Sequence, residues 1–265
     1  MTALPQPHVV ARLRAAGCVF AEDEARVLTA AARTEAELAE LVERRVAGLP
    51  LEHIVGWAEF RGLRIAVEPG VFVPRRRTEF VVELALAALP DTEPVVVDLC
   101  CGSGALGVAI ATERPRARVH AVDIDPAAVR CARRNLAALG GRVYEGDLFR
   151  ALPVRLRGRV DAVVANVPYV PSAAIASMPP EARLHEPAVA LDGGPDGLDV
   201  LRRVAAGVGD WLSPGGRLFI ETSERQAVPA AEAFAESGLL PRLERSEELG
   251  ATVVIGRSEA APDVT

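Results

Sequence analysis

The chain has 265 residues, half of them hydrophobic and a quarter charged, which is enough for one sizeable core with a small accessory domain and too apolar for wholesale disorder. Its formal net charge of −6 argues against a grip on nucleic acid through bulk positive charge, and no apolar run reaches the roughly 20 residues that span a bilayer. The start, Met1-Thr2-Ala3-Leu4-Pro5, lacks a secretion signal, and the cysteines Cys18, Cys100, Cys101 and Cys131 have neither a disulfide-scaffold density nor metal-ligand spacing, so a cytoplasmic setting without a structural metal is expected.

Apolar residues recur near the 3.6-residue period from Val9 to Val46, with stops at Gly17 and Gly48, which predicts a three-helix bundle over residues 1–49. Residues 50–77 form a linker. Ile54, Val55, Trp57 and Phe60, then Leu63, Ile65 and Val67, predict a β-hairpin turning at Arg61-Gly62. From residue 78 helices and strands alternate. Strands are expected at 95–99, 118–123, 143–147, 160–165, 216–221 and 251–255, and helices at 80–89, 105–112, 126–139, 198–211 and 227–237. That alternation implies an α/β domain over 78–258 with a mostly parallel sheet covered on both faces. Residues 259–265 read as a flexible tail.

The stretch Asp98-Leu99-Cys100-Cys101-Gly102-Ser103-Gly104-Ala105-Leu106-Gly107 joins a strand to a helix and satisfies G-x-G-x-x-G, with Asp123 at the end of the next strand. Alone, that is a dinucleotide fingerprint. Asp98 shifts the choice of cofactor. A carboxylate beside the helix N-terminus repels a pyrophosphate and favours the cationic S-adenosylmethionine, although a helix-capping carboxylate is the alternative reading. Asp123 is expected to accept the two ribose hydroxyls. Asp147 and Leu148, ending the third strand, suit the polar edge and the ring face of an adenine, with a turn carboxylate beside a core leucine as the alternative. Asp125, before Pro126, caps the next helix.

Asn166-Val167-Pro168-Tyr169 follows the fourth strand, and ligands in open α/β sheets bind beyond the carboxyl ends of the strands. The lone pair of an amide or amino nitrogen on a planar group is delocalised, so such a nitrogen is a poor nucleophile. Two acceptors on its N–H bonds orient it. The Asn166 side-chain oxygen and the Val167 carbonyl supply them, Pro168 restricts Val167 to an extended conformation, and Tyr169 packs on the planar group. An ordinary strand-end turn is the alternative.

These motifs, with Gly56-x-x-Glu59-Phe60-x-Gly62, Val73-Pro74-Arg75, Thr78-Glu79 and the block His185-Glu186-Pro187-x-x-Ala190-Leu191-x-Gly193-Gly194-x-Asp196-Gly197-Leu198-Asp199, resemble the protein-(glutamine-N(5)) methyltransferases that modify peptide-release factors. The resemblance runs from about Arg45 to Ile255. It implies a Rossmann-like class I methyltransferase sheet of seven strands, S-adenosylmethionine as donor, and the glutamine of a Gly-Gly-Gln loop held by the tetrad Asn166, Val167, Pro168 and Tyr169. It implies a protein partner rather than a membrane or a nucleic acid. The donor residues are accordingly expected to be Asp98, Cys100, Cys101, Gly102, Ser103, Gly104, Asp123, Asp147, Leu148 and Asn166. Val167 stands where the family has Pro, Cys100-Cys101 where it has Gly-Thr, and Arg76-Arg77 where it has Pro-Glu. The run Arg75 to Arg77 is a solvated face or a docking patch. The rival readings are an aminomethylase of adenine or guanine in nucleic acid and a donor-binding module without turnover.

Overall fold

The computed structural model describes residues 6–258, so the expected tail at 259–265 and the first five residues of the bundle lie outside the described residues. Helices α1 (Pro7–Ala15), α2 (Ala21–Ala31) and α3 (Glu35–Val46) bury Val9, Leu13, Leu28, Leu38 and Val42 against one another. The α3 N-terminus is closed by Thr34, whose hydroxyl accepts the Glu37 amide. Ile54 and Val55, expected at the hairpin, instead end a short helix α4 (Leu51–Val55), which Gly56 stops in the left-handed region. The hairpin β1 (Trp57–Phe60) and β2 (Leu63–Ala66) pairs Phe60 with Leu63 across Arg61-Gly62. It drives Phe60 and Ile65 into the main core.

The rest is one seven-stranded sheet. Its strands are β3 (Val95–Leu99), β4 (Arg118–Asp123), β5 (Arg142–Glu145), β6 (Val160–Ala165), β7 (Leu212–Thr222), β8 (Leu240–Ser246) and β9 (Ala251–Arg257), in the order β5-β4-β3-β6-β7-β9-β8. β9 runs antiparallel to both of its neighbours, and the pairs from β5 to β7 are parallel. β3 is buried at every position, which is why it reads as an apolar run broken only by Asp98. Helices α5 (Glu79–Ala88), α6 (Ala105–Glu113) and α7 (Pro126–Leu136) are followed by α8 (Pro180–His185), α9 (Ala188–Leu191), α10 (Asp199–Val208) and α11 (Ala227–Glu236). The core lies in two layers: Phe80, Ile110 and Phe219 are among the residues packed on one face, and Leu99, Leu201 and Phe234 among those on the other.

β8 is not legible in the sequence. It is an edge strand carrying Pro241, Arg242, Glu244 and Arg245, largely exposed, and such charged edges carry no apolar alternation. β5 ends at Glu145, so Asp147 and Leu148 sit in the turn after it rather than on the strand. The order reverses between β3 and β6, and this reversal opens the crevice at the carboxyl ends of the strands. No described helix is long and apolar enough to cross a membrane.

Phe60 is fully buried between the hairpin and the sheet. Phe60→Ala is expected to lower the urea-unfolding free energy by about 3–5 kcal/mol.

Candidate active site

A cleft of about 200 Å³ lies at that crevice. The turn after β3, the ends of β4 and β5, the segment after β6 and the linker at 72–78 all contribute to its wall. Cys100, Cys101, Gly102, Ser103, Asp123, Asp147, Leu148, Asn166, Val167, Pro168 and Tyr169 line it, so the glycine turn and the tetrad face one space.

The turn is held tightly. Gly104 has a φ of +78°, and a Cβ there would come within 3.2 Å of the Ala132 Cβ on α7, so α6 and α7 pack closely only with glycine at that position. Cys100 adopts a φ of 53°, the left-handed conformation in which an L-residue is strained. Burial pushes the thiols of Cys100 and Cys101 upward, so neither offers a reactive thiolate.

Asp123 presents a carboxylate to the cleft. Its Oδ2 accepts the Gly102 amide at 2.8 Å and its Oδ1 accepts the Asp125 amide at 2.9 Å. Each oxygen keeps a lone pair for a hydroxyl donor. Asp125 caps α7 as expected, accepting from Ala127. Asp147 is fixed by Arg203 on α10 at 2.6 and 2.7 Å, a partner with no motif to announce it.

Asp98 and Gly104 do not line the cleft. Asp98 is fully buried, with Oδ2 accepting the Gly107 amide at 2.9 Å and Oδ1 without a partner. This is the capping arrangement. Burial, against the opposing pull of the Gly107 amide, raises its carboxyl to about 8. At neutral pH it is therefore mostly protonated, and the expected attraction of a cationic donor by an Asp98 charge is not what the geometry provides. Asp123, unlike Asp98, does present its carboxylate on the cleft wall.

In the tetrad, Asn166 Oδ1 is buried with no hydrogen-bond partner, while Nδ2 faces Thr78 Oγ1 at 3.5 Å. The Val167 side chain packs into the core, so the tetrad offers the cleft its backbone there. No hydrogen bond to the Val167 carbonyl exists among the described residues. The glycine block explains how this loop is held. A Cβ on Gly193 would lie 2.7 Å from the Pro168 carbonyl oxygen, and one on Gly197 would lie 2.2 Å from that of Tyr169. Gln226 Nε2 donates to the Tyr169 carbonyl at 3.0 Å. The long block therefore clamps the tetrad backbone from behind.

The arginine run is neither wholly a solvated face nor a free docking patch. Arg76 is exposed, but Arg75 pairs with the buried Glu186, and Arg77 donates to Glu221 at 2.8 Å and to the Tyr169 hydroxyl. Glu186 Oε1 also accepts the Val73 amide at 3.3 Å, and its Oε2 has no partner. Glu186 thus ties the linker to the cleft wall. The place of Arg203 on the cleft wall, and of Glu221 as the partner of Arg77 behind it, was not readable from sequence, because their partners are distant in the chain.

A mostly parallel sheet with this strand order, and a glycine turn and an Asn-Val-Pro-Tyr loop that line one cleft at its carboxyl edge, form the architecture of a methyltransferase. The model of the methyltransferase small domain matches residues 62–194. A release factor glutamine methyltransferase of Mycolicibacterium smegmatis is 43% identical over 75% of this chain and 70% of its own. A 4-amino-L-phenylalanine/4-methylamino-L-phenylalanine methyltransferase of Streptomyces pristinaespiralis is 39% identical over 74% and 69%. A methyltransferase structure from Pyrococcus furiosus shares the fold at a TM-score of 0.56 with 17% identity, over 75% of this chain and 90% of that one. The chain belongs to the release factor glutamine methyltransferase family.

Two outcomes follow from this geometry. The native Asp98 carboxyl is raised above its unfolded value near 3.9, so the folded state holds a proton that the unfolded state releases. Stability of the ligand-free protein should therefore fall between about pH 4 and 8, and Asp98→Asn should flatten that part of a urea-denaturation pH profile. Gly197→Ala should push the Tyr169 carbonyl out of place and reduce turnover by about 100-fold, read by steady-state kinetics, with the circular dichroism spectrum preserved.

Proposed function

We propose that the protein methylates the side-chain amide nitrogen of a protein glutamine, with S-adenosylmethionine as donor and the Gly-Gly-Gln loop of a peptide-release factor as acceptor. The observation that carries this reading is the buried, partnerless Asn166 Oδ1 next to the free Val167 carbonyl. These two acceptors, both without a donor among the described residues, match in number the two N–H bonds of a primary carboxamide. The relatives that bear the release-factor name support the acceptor. A cytoplasmic setting is part of this proposal, since a peptide-release factor would be met there.

The cleft fits the donor. The lone pairs left on Asp123 suit paired ribose hydroxyls, and Leu148 with Asp147 suits the two aspects of an adenine. When bound, the donor supplies an electrophilic methyl group on a sulfonium. The protein's part is to position and desolvate. Asn166 Oδ1 and the Val167 carbonyl take the two amide hydrogens and aim the nitrogen. Tyr169, fixed by Arg77, closes one side of the carboxamide. Val167 in place of the family's Pro removes one rigid φ but leaves the carbonyl, which is the working group.

The relative from Streptomyces pristinaespiralis raises a second acceptor, the amine of an aromatic amino acid, whose lone pair is also conjugated. Such a molecule carries a free carboxylate. The guanidinium groups on the cleft wall, Arg75, Arg77 and Arg203, are each already paired with Glu186, Glu221 and Asp147. This favours the neutral carboxamide.

Mass spectrometry of a release factor after incubation with protein and donor should show one added methyl on the Gly-Gly-Gln glutamine. Labelled donor should leave total RNA and 4-amino-L-phenylalanine unlabelled. Asn166→Ala should lower turnover by about 100- to 1000-fold with nearly unchanged donor affinity, and wild-type turnover in that variant would remove the tetrad from the reaction.

A further inference from the structure

A second cavity, of about 210 Å³, opens at the amino ends of the parallel strands, the opposite edge of the sheet from the cleft. With β4 six residues long, the two sites are roughly 20 Å apart. Arg118, Arg142, Arg155 and Arg159 line this cavity together with His120. They come from separate elements: β4, β5, the short turn at 154–156 and the segment entering β6.

Strand register brings them together. His120 pairs with Arg142 across β4 and β5, and residues directly opposite in a sheet share a face, as do residues two apart on one strand. Arg118, His120, Arg142 and Tyr144 therefore point to the same side. His120 is only 3% exposed. Its ring stacks on Tyr144 with centroids 5.8 Å apart, and its Nδ1 lies 3.0 Å from the Tyr144 hydroxyl. Its Nε2 has no partner among the described residues.

None of the four arginines has a salt bridge or a side-chain hydrogen bond among the described residues. Asp161 does not line the cavity, and its oxygens accept the Val95 amide at 2.8 Å and the Ser213 hydroxyl at 3.1 Å rather than an arginine. Burial, and then the charges of Arg142, Arg155 and Arg118, push the His120 imidazole down to about 4. Three of the four cations thus act on one buried ring. In a chain of net charge −6, such an uncompensated cluster around a concavity is the electrostatic signature of a site for a compact anion.

We propose that this cavity is a binding site for a diphosphate group, either as free pyrophosphate or as the phosphate end of a nucleotide. Guanidinium forks match phosphate oxygens in pairs, and four of them around one hollow suit several oxyanion charges better than a single carboxylate. A concave site, rather than a stripe along the surface, favours a small anion over a nucleic-acid strand, which is tracked along a groove.

Calorimetric titration with pyrophosphate, at about 0.15 M salt to screen loose surface binding, should show saturable one-to-one binding. Arg142→Gln and Arg155→Gln should each weaken it by about tenfold, with the folded circular dichroism spectrum retained. Arg116→Gln removes the same charge from the neighbouring turn without touching the cavity and should leave binding unchanged. ADP binding as tightly as pyrophosphate would mark the diphosphate as the whole ligand, and tighter ADP binding would mark a nucleotide. Absence of saturation, equal weakening by Arg116→Gln, or tighter binding of RNA that grows with strand length would overturn the proposal.

Discussion

A buried carbonyl oxygen without a donor costs about 1–3 kcal/mol, and Asn166 Oδ1 is such an atom. It stays unsatisfied because nothing around it can yield. Pro168 limits the residue before it. Gly193 and Gly197 lie against the carbonyls behind the loop, and Gln226 ties the Tyr169 carbonyl to the Asp196 carbonyl through one amide, at 3.0 and 2.9 Å. Thr78 occupies the other end of the Asn166 amide. The loop is therefore held rigidly with one acceptor unsatisfied, as the proposed carboxamide site requires, and its cost in stability is carried by the packing around it.

The same logic organises the linker. Two buried carboxylates, Glu186 and Glu221, each hold an arginine from the 75–77 run. Burying an ion pair contributes little to stability on its own. Here the pairs give direction instead. They turn Arg75 and Arg77 inward, fix the Tyr169 hydroxyl, and join the hairpin region to the segment around α8 and α9. Arg45, in contact with Glu24 at 2.6 Å and Glu181 at 3.2 Å, extends this chain of charges from the helical bundle to α8.

The sheet was legible wherever burial on both faces left a run that is apolar but for one aspartate, as in β3 and β6. Edge strand β8 was hidden because its outward charges carry no period. The glycine turn and the tetrad were legible because their chemistry is local: a tight backbone and a few polar atoms at the end of a strand. The roles of Asp98 and the arginine run were not. Whether a carboxylate is ionised or an arginine is solvated depends on what packs over it from elsewhere in the chain, and the partners of Arg75, Arg77 and Asp147 lie more than fifty residues away in sequence. The glycine block was recognisable as a pattern, yet its purpose, to let two backbones approach, appears only once the loops meet.

Holding a cysteine at a φ of 53° where a glycine would be relaxed costs roughly 1–2 kcal/mol, a noticeable share of the roughly 5–15 kcal/mol that keeps a domain folded. For the turn to stay formed, the packing of α6 against α7 and the Asp123 bond to the Gly102 amide must outweigh that strain.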